Sequence, residues 1–306
     1  MLDFKPLNVS DREWVNGAIK ESGFMICESS FANNVAWQRL NNTKACKCDE
    51  FCILKSQSGD EFYYDFPFGL NVNSSYDDCK RALDYIFSDA KENGYNKAVI
   101  TSVTEEFLPL FESFYAGLYT CSTDEAHDDY IYLSADLIEL KGKKYHSKRN
   151  HIANFKKNNW RFERINSTNI DDAFVYTIGV YNSLDDDKPL STIAEQYAIN
   201  TYFTHFDELE LCGGILYMND EIVAVTIGER LNDETFVVHI EKAEKNVNGA
   251  YPTICNEFLK EFATDYKYIN REEDLGIEGL RKSKMSYYPC FKIKKYTLTF
   301  NMEDLK

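Results

Sequence analysis

The sequence predicts a mixed α+β protein in which two halves repeat the same order of elements. Apolar residues recur at helical spacing in long segments such as 75–93. Short apolar runs on either side of turn residues, as in 51–66 and 208–228, predict β-hairpins. Each half contains an antiparallel meander, a long helix, a short strand, a helix and a closing strand. We therefore expect two domains, residues 1–138 and 139–306, each with a mixed, mostly antiparallel sheet flanked by helices.

The first half begins with two helices and continues with a hairpin and a long helix. Ser10 is suited to cap the first helix, and Ser58-Gly59-Asp60 is a turn sequence inside the hairpin 51–66. Gly94 follows the long helix and predicts its end. The predicted helices are 10–21, 33–40, 75–93 and 105–114, and the predicted strands beyond the hairpin are 98–101, 117–121 and 129–133.

The second half has a strand and two helices before its meander. Asn219-Asp220 is a two-residue turn sequence between the first two meander strands. Ile254 and Phe258 mark the apolar face of the helix that follows the meander. The predicted strands are 160–165, 208–218, 221–228, 235–240, 268–270 and 291–300, and the predicted helices are 171–183, 193–205, 249–264 and 277–284.

The charge balance limits the class of partner. The chain has 34 Lys and Arg against 50 Asp and Glu, a formal net charge of -16. This charge disfavours nonspecific attraction to nucleic acid or anionic lipid, so an anionic ligand must meet a local basic patch. Hydrophobic residues make up 44% of the chain, a composition that disfavours a disordered protein.

No export or membrane segment is recognisable. The first residues lack the apolar core of a signal peptide, and no run approaches the roughly 18 apolar residues that span a bilayer. Nine cysteines, an odd number, suit reduced thiols better than a disulfide framework. We therefore expect a cytoplasmic protein without an integral membrane segment.

Three cysteines cluster in the first half. Cys46, Cys48 and Cys52 follow a C-x-C-x3-C spacing rather than the C-x2-C pair typical of zinc sites. Because 51–54 has the composition of a strand, we expect thiols partly buried on a strand pair. A metal site is the alternative, and we predict no metal.

Three segments of the second half resemble the carboxy-terminal domain of the phosphatidylglycerol lysyltransferases. They are LKGKKYHSKRNHIANF at 140–155, HIEKA at 239–243 and NREEDLGIEGLRKSKMSYYP at 270–289. The resemblance implies two tandem GNAT-like domains, which have the acyl-CoA N-acyltransferase-like fold, with the site in the C-terminal domain. It also implies an acyltransferase that moves an aminoacyl or other acyl group to an amine or hydroxyl acceptor.

The resemblance leaves the donor and the acceptor open. Charged tRNA or acyl-coenzyme A is the implied donor, and the acceptor is a small molecule, a peptide or a lipid headgroup. Acetyltransferases bind phosphate at a turn written [QR]-x-x-G-x-[GA], and residues 246–251 match that pattern only at Gly249. One alternative is a coenzyme A-dependent N-acyltransferase. Another is a non-catalytic binding module on the same fold.

A basic run opens the second half. Residues 141–164 contain nine Lys or Arg against one acid, Glu163. On a helix these cations gather along a strip, and we expect them to hold the phosphates of the donor. The residues predicted for this role are Lys144, Lys148, Arg149 and Lys156. The alternative interpretation is a solvated basic helix packed against acidic neighbours.

The strand 235–240 carries two candidates for proton transfer. Alternation places Phe236 and Val238 on one face and His239 with Glu241 on the other. Either His239 or Glu241 is suited to take the proton from an attacking amine. The alternative is a structural histidine bonded to a neighbouring strand.

An acidic trio and two cations complete the predicted site. Glu272, Glu273 and Asp274 lie between a short strand and a helix, where they could grip the amino group of an aminoacyl moiety or simply face the helix dipole. Arg281 and Lys284 on that helix are predicted to bind the donor. No Gly-rich nucleotide loop, nucleophile elbow or H-E-x-x-H motif occurs, which disfavours kinases, dinucleotide enzymes and hydrolases.

Overall fold

The structure, a computed structural model, describes residues 2–182 and 190–305 and divides into two compact units. The first unit comprises the residues up to Asp128 together with those from Ile293 onward, and the second unit comprises Asp129–Lys292. The boundary predicted between residues 138 and 139 differs from this division at two places. Residues 129–138 belong to the second unit, and the end of the chain belongs to the first.

Ten α-helices and thirteen strands lie within the described residues. The helices are α1 Arg12–Ser22, α2 Phe31–Trp37, α3 Tyr76–Glu92, α4 Leu108–Tyr115, α5 Ser134–Glu139, α6 His146–Phe155, α7 Ile170–Asn182, α8 Leu190–Thr204, α9 Ala250–Phe262 and α10 Glu278–Met285. The strands are β1 Lys44–Cys48, β2 Phe51–Ser58, β3 Glu61–Asp65, β4 Lys97–Val103, β5 Tyr119–Thr123, β6 Asp129–Leu133, β7 Trp160–Arg164, β8 Cys212–Met218, β9 Glu221–Arg230, β10 Thr235–Ala243, β11 Tyr268–Asn270, β12 Phe291–Ile293 and β13 Tyr296–Asn301.

The sheet of the first unit has the order β1-β2-β3-β4-β13-β5. Strands β1 to β3 form an antiparallel meander, and the connection through α3 makes β4 parallel to β3. The last strand of the chain, β13, lies between β4 and β5 and is antiparallel to both. Tyr64, Ile100 and Phe300 are fully buried in the core of this unit.

The sheet of the second unit repeats this plan with the order β12-β6-β11-β10-β9-β8-β7. Strands β7 to β10 form an antiparallel meander, and the connection through α9 makes β11 parallel to β10. Here β6, from the end of the first half of the sequence, lies between β11 and β12. The core around α9 includes Phe236 and Phe258.

Two of the turn and cap sites form the local structure that their chemistry favours, whereas Ser10 does not cap α1, because it lies within a 3-10 turn at Val9–Asp11 and Asp11 is the residue before the helix. Asn219 and Asp220 have φ values of 52° and 67°, the left-handed conformations that a tight hairpin turn requires. Ser75 caps α3, because its hydroxyl accepts a hydrogen bond from the backbone N–H of Asp78. The mixed α+β class predicted from the sequence is confirmed.

Three details differ from the predicted elements. The closing strand predicted at 291–300 is two strands, since β12 joins the second sheet and β13 joins the first. Strand β1 and helix α5 are additional to the predicted elements. The helix predicted at 171–183 is present as α7, while Ser183 lies outside the described residues.

None of the described helices has the length and apolar character needed to cross a bilayer.

Candidate functional site

The candidate site lies where the parallel pair of the second sheet separates. Strands β10 and β11 pair over three positions, from Thr235 with Tyr268 to Val237 with Asn270. Strand β11 then ends, whereas β10 continues to Ala243. Beyond the paired region, this edge of β10 therefore has no strand beside it. The side chains of β10 in this part contact the loop after β11.

A β-bulge at His239 divides the predicted catalytic residues between the two faces of the sheet. Val238 lies opposite Gly228 and Ile240 lies opposite Ile227, so His239 is the extra residue of β10. The alternation of side chains shifts at this point, and Glu241 lies on the face that packs against α9. His239 points to the opposite face, where it stacks on Tyr202 of α8. The prediction that His239 and Glu241 share a face is therefore wrong.

A buried ion pair defines the α9 face of the site. Nη2 of Arg271 donates to Oε1 of Glu241 at 2.9 Å, with only 9% and 12% of the two side chains exposed. The other terminal nitrogen of Arg271, Nη1, is buried and has no hydrogen-bond partner among the described residues. An orphaned buried donor is costly in a folded protein, so this N–H group is available to an acceptor that enters the site.

Lys148 and Tyr287 complete this face. The Tyr287 ring lies 3.8 Å from Nζ of Lys148 and 4.8 Å from Cζ of Arg271. Burial, together with the charge of Arg271, lowers the pKa of Lys148. Lys148 donates to the Ser286 hydroxyl at 2.8 Å and makes no ion pair with the described carboxylates. The cluster thus contains two cations against the single carboxylate of Glu241, an excess of positive charge in a partly desolvated place.

The opposite face carries a histidine held between two carboxylates. Nδ1 of His239 lies 2.8 Å from Oε1 of Glu272, and Nε2 lies 3.1 Å from Oε1 of Glu229. Burial by itself lowers the pKa of His239, but the two hydrogen bonds outweigh it and raise the pKa to about 9. At neutral pH both ring nitrogens are therefore protonated donors. This geometry suits a positioning residue and does not suit a general base.

The three acids at 272–274 have different environments. Asp274 is buried. Its carboxylate accepts hydrogen bonds from Tyr130, Gly276 and Arg281. The hydrogen bond from Arg281 is the main cause that holds the pKa of Asp274 well below its usual range. Asp274 therefore fixes the loop that leads to α10. The Glu272 side chain binds His239. Glu273 is half-buried on the same loop.

The six cations predicted to bind a donor are not gathered along one open strip. Lys144 pairs with Asp136, Lys156 with Glu257 and Arg281 with Asp274. Two more bind backbone carbonyls, namely Arg149 at Leu140 and Gly142, and Lys284 at Arg271. Lys148 is the member that lies beside the Arg271–Glu241 pair. Five of these six cations therefore bind acids or backbone carbonyls of the second unit, an arrangement that the alternative interpretation of a basic helix packed against acidic neighbours also describes.

Helix α6 covers the turn that resembles an acetyltransferase phosphate site. Gly249 caps α9 with φ 91°, and a Cβ at this position would collide with the carbonyl oxygen of His151 and with Phe155. Nδ1 of His151 also lies 2.7 Å from Oδ1 of Asn248. Because α6 packs directly on this glycine, the turn does not offer the open N–H groups that bind a pyrophosphate.

The sequence drew attention to the acids of 272–274 but not to the arginine before them. Arg271, Glu229 and Tyr202 are the residues of the site that sequence reasoning missed. Arg271 had one local signal, a position directly after a short apolar strand in a run of charges. Glu229 and Tyr202 had none, because their role depends on the bulge in β10 and on the packing of α8.

Comparison with known proteins places the chain in a family. The sequence family described as phosphatidylglycerol lysyltransferase, C-terminal, matches residues 21–299. The chain belongs to that family. Its two units have the GNAT-like fold that the sequence resemblance implied, and family and fold are those of acyl- and aminoacyltransferases of the GNAT-like kind.

Two solved structures and one curated relative are similar to this family member. A conserved protein of unknown function from Bacteroides thetaiotaomicron is 34% identical with a TM-score of 0.91, covering 98% of this chain and 100% of that one. L-PGS from Bacillus licheniformis is 15% identical with a TM-score of 0.65, covering 95% and 92%, which shows likeness of fold. An uncharacterized protein of Mycoplasmoides gallisepticum is 22% identical over 175 residues, and that match spans 56% of each chain.

Proposed function

We propose that this protein transfers an aminoacyl group from a charged tRNA to an amine or hydroxyl acceptor at the α9 face of the second sheet. The observation that carries the proposal is the buried Arg271–Glu241 pair, in which Nη1 of Arg271 is an orphaned donor beside Lys148. Acyl transfer creates negative charge on the carbonyl oxygen, and preorganised donors in a desolvated place stabilise that charge strongly.

Each residue of the cluster has one task in this mechanism. The acceptor amine attacks the ester carbonyl of the donor and loses a proton to Glu241. Arg271 donates its free N–H to the oxyanion of the tetrahedral adduct, with Lys148 adding positive charge. The adduct then collapses, the ester C–O bond breaks, and the ribose hydroxyl leaves with the proton that Glu241 returns. No covalent enzyme intermediate forms, so positioning supplies most of the rate enhancement.

His239, Glu272 and Asp274 act through their neighbours. The bond between His239 and Glu272 fixes the loop after β11, and Arg271 precedes Glu272 in that loop. The clamp between Asp274 and Arg281 fixes the end of the same loop. We therefore assign these residues to the positioning of Arg271, and Glu273 stays a candidate for binding the amino group of the aminoacyl moiety.

The amino-terminal turn of α9 favours charged tRNA over coenzyme A as the donor. Helix α6 packs on Gly249, so a coenzyme A pyrophosphate would have to displace His151 and Phe155. A tRNA donor needs no such site, because its ester is presented at the end of a single strand. Coenzyme A-dependent transfer would require the two helices to separate.

The test is single-turnover transfer from charged tRNA to a panel of amines and alcohols. We expect Glu241→Gln and Arg271→Gln each to lower the rate constant by about 100-fold or more, since removal of an acid-base group or an oxyanion donor typically costs this much. Glu163→Gln and Arg161→Gln are matched controls, because this half-exposed pair lies on β7, apart from the Arg271–Glu241 pair, and its loss should leave the rate unchanged.

Two results would overturn the proposal. Tight binding of charged tRNA without turnover across the panel would indicate a binding module. Turnover with acyl-coenzyme A but not with charged tRNA would assign the other donor. Equal rates in Arg271→Gln and in the controls would remove the residue assignment while leaving the reaction in place.

A further inference from the structure

Two thiols lie against each other on the edge strand of the first sheet. Cys46 and Cys48 are two positions apart on β1, so their side chains point to the same face. Their sulfur atoms are 3.5 Å apart, and the residues are 6% and 4% exposed. Strand β1 pairs with β2 on one side and ends the sheet on the other.

The surroundings of this pair favour a thiolate on one of its sulfurs. Cys48 donates its S–H to Cys46, and this hydrogen bond lowers the pKa of Cys46 against the opposing effect of burial. The backbone N–H of Asp3 also donates to Cys46. The same hydrogen bond between the thiols, together with burial, raises the pKa of Cys48. The pair thus combines a nucleophile with a partner in contact.

The third cysteine of the sequence cluster does not belong to this pair. Cys52 lies opposite Lys47 in the β1–β2 ladder, so it points to the other face of the sheet from Cys46 and Cys48. Burial raises the pKa of Cys52. Three thiols that do not converge cannot ligate one metal ion, which leaves the two-thiol contact as the chemical feature of this motif.

A reagent can reach the pair by local opening of the amino-terminal segment. Asp3 and Lys5 are exposed, and the bridge of Lys5 to Ala45 consists of two backbone hydrogen bonds of 2.9 and 2.8 Å. Short terminal bridges of this kind open at a small free-energy cost compared with global unfolding. Opening of this bridge would release the segment whose Asp3 backbone lies against Cys46, without breaking the β1–β2 ladder.

We propose that Cys46 and Cys48 form a thiol–disulfide exchange site that reacts with a small-molecule disulfide. The Cys46 thiolate attacks one sulfur of the reagent, forming a mixed disulfide and releasing one thiolate. The Cys48 thiol gives its proton to that thiolate and attacks Sγ of Cys46, which closes the Cys46–Cys48 bond and releases the second thiolate. This second thiolate takes up from the solvent the proton that Cys46 lost on ionisation. Two protein thiols are oxidised, and one disulfide is reduced to two thiols.

The spacing of the two cysteines on the strand predicts that a Cys46–Cys48 disulfide is easily reduced. Positions two apart on a strand are separated by about 6.6 Å between Cα atoms, near the upper end of the range that disulfides span. A strained disulfide has a more oxidising potential than a relaxed one, so an excess of monothiol should reverse the reaction. The site is therefore a reversible modification site rather than a structural bond.

The sequence supplies a direct test, because Lys47 lies between the two cysteines. The reduced protein is incubated with glutathione disulfide at neutral pH, its remaining thiols are alkylated, and it is digested with trypsin without reduction. Cleavage after Lys47 separates Cys46 from Cys48 unless a disulfide joins the two peptides. We expect the linked peptides in the wild-type protein and in Cys52→Ser, and their loss in Cys48→Ser and after treatment with excess glutathione.

Two outcomes would overturn the proposal. The first is unlinked peptides in a folded wild-type protein whose exposed Cys121 and Cys290 become glutathionylated in the same sample. The second is a linked peptide that persists in Cys48→Ser, since this would assign the bond to Cys52. Both outcomes are scored in protein that keeps its wild-type circular dichroism spectrum.

Discussion

Arg271 and Glu272 are neighbours in the chain, yet their side chains serve opposite faces of the second sheet. Arg271 binds Glu241 on the α9 face, whereas Glu272 binds His239 on the face that carries Tyr202. Both bonds bridge the gap that opens where β11 ends. Four charged groups from two segments therefore hold the separated strands in a fixed geometry without backbone hydrogen bonds.

The charge on His239 makes this region sensitive to alkaline pH. A rise of the pKa from 6.5 to about 9 means that the folded protein binds the proton more tightly than the unfolded chain does. The resulting stabilisation, about 3 kcal/mol, is fully present below about pH 6.5 and is lost as the pH rises through about 9. We expect His239→Gln to lower the free energy of unfolding by about 3 kcal/mol near pH 6.

Urea unfolding of both proteins across this pH range measures the effect. The difference in free energy between the wild type and His239→Gln should shrink as the pH rises from about 6 to about 10. A difference that stays constant over this range would show that His239 is not charged in the folded protein. Nitrogen chemical shifts of the His239 ring give an independent check of its protonation.

The junction of α6 and α9 shows how one element decides what another can bind. The amino terminus of a helix is an anion site when its N–H groups are open. Here Gly249 lets the backbone of α6 approach the start of α9, and Lys156 of the same region pairs with Glu257 on α9. Two helices that could each face a ligand instead stabilise each other.

Substitution of Gly249 tests this packing. Gly249→Ala places a Cβ against the carbonyl of His151 in a backbone conformation, φ 91°, that L-residues avoid. We expect a loss of about 3 kcal/mol in the free energy of unfolding from the combined clash and strain. Gly179→Ala is the matched control, because Gly179 lies within α7 with nothing within 4 Å of an added Cβ.

The control substitution should not lower the free energy of unfolding. Alanine is a better helix former than glycine by about 1 kcal/mol, so Gly179→Ala should be neutral or stabilising. Urea unfolding of the two variants under the same conditions makes the comparison. A Gly249→Ala protein as stable as the wild type would show that α6 moves away from α9 readily, which would reopen the coenzyme A hypothesis.

Each sheet of the molecule contains a strand that is distant in sequence from a strand beside it. The first sheet includes β13, the last strand, between β4 and β5. The second sheet includes β6, from the middle of the chain, between β11 and β12. The first unit therefore consists of two segments that are distant in sequence, whereas the second unit is the continuous segment Asp129–Lys292. The first sheet is complete only when β13 has been synthesised.

Phe300 of β13 tests how far the first unit depends on this strand. Its ring is fully buried, with centroids of Phe87, Tyr115 and Tyr119 at 5.0, 5.5 and 5.4 Å. We expect Phe300→Ala to cost about 4 kcal/mol through the lost contacts and the cavity. Hydrogen exchange should then report lost protection in β4 and β5, the strands that β13 pairs with.

The half-exposed Phe291 of β12 provides the control for that experiment. Phe291 is 41% exposed, so Phe291→Ala should change the free energy of unfolding far less. Loss of protection that begins in β8 and β9 of the second unit would contradict the assignment of β13 to the first.

Local sequence determined most elements of this protein. Helical stripes such as that of α3, the hairpin turn at Asn219-Asp220 and the glycines after helices act over a few residues, so period and turn chemistry predict them. The resemblance of 140–155, 239–243 and 270–289 to a known family gave the GNAT-like fold, and the comparisons confirm it. The charge of Lys148 and the carboxylate of Glu241 were also recognised as candidates in advance.

Only the tertiary structure decided which of these groups meet. A single extra residue in β10 shifts the alternation of side chains. His239 and Glu241 therefore lie on opposite faces of the sheet, although their spacing of two residues predicts the same face. Neutralisation of Lys144, Lys156 and Arg281 depends on acids that are distant in sequence or lie on other elements. Bulges, pair partners and strand order arise from contacts between remote segments, and the energy of those contacts leaves no local trace in the sequence.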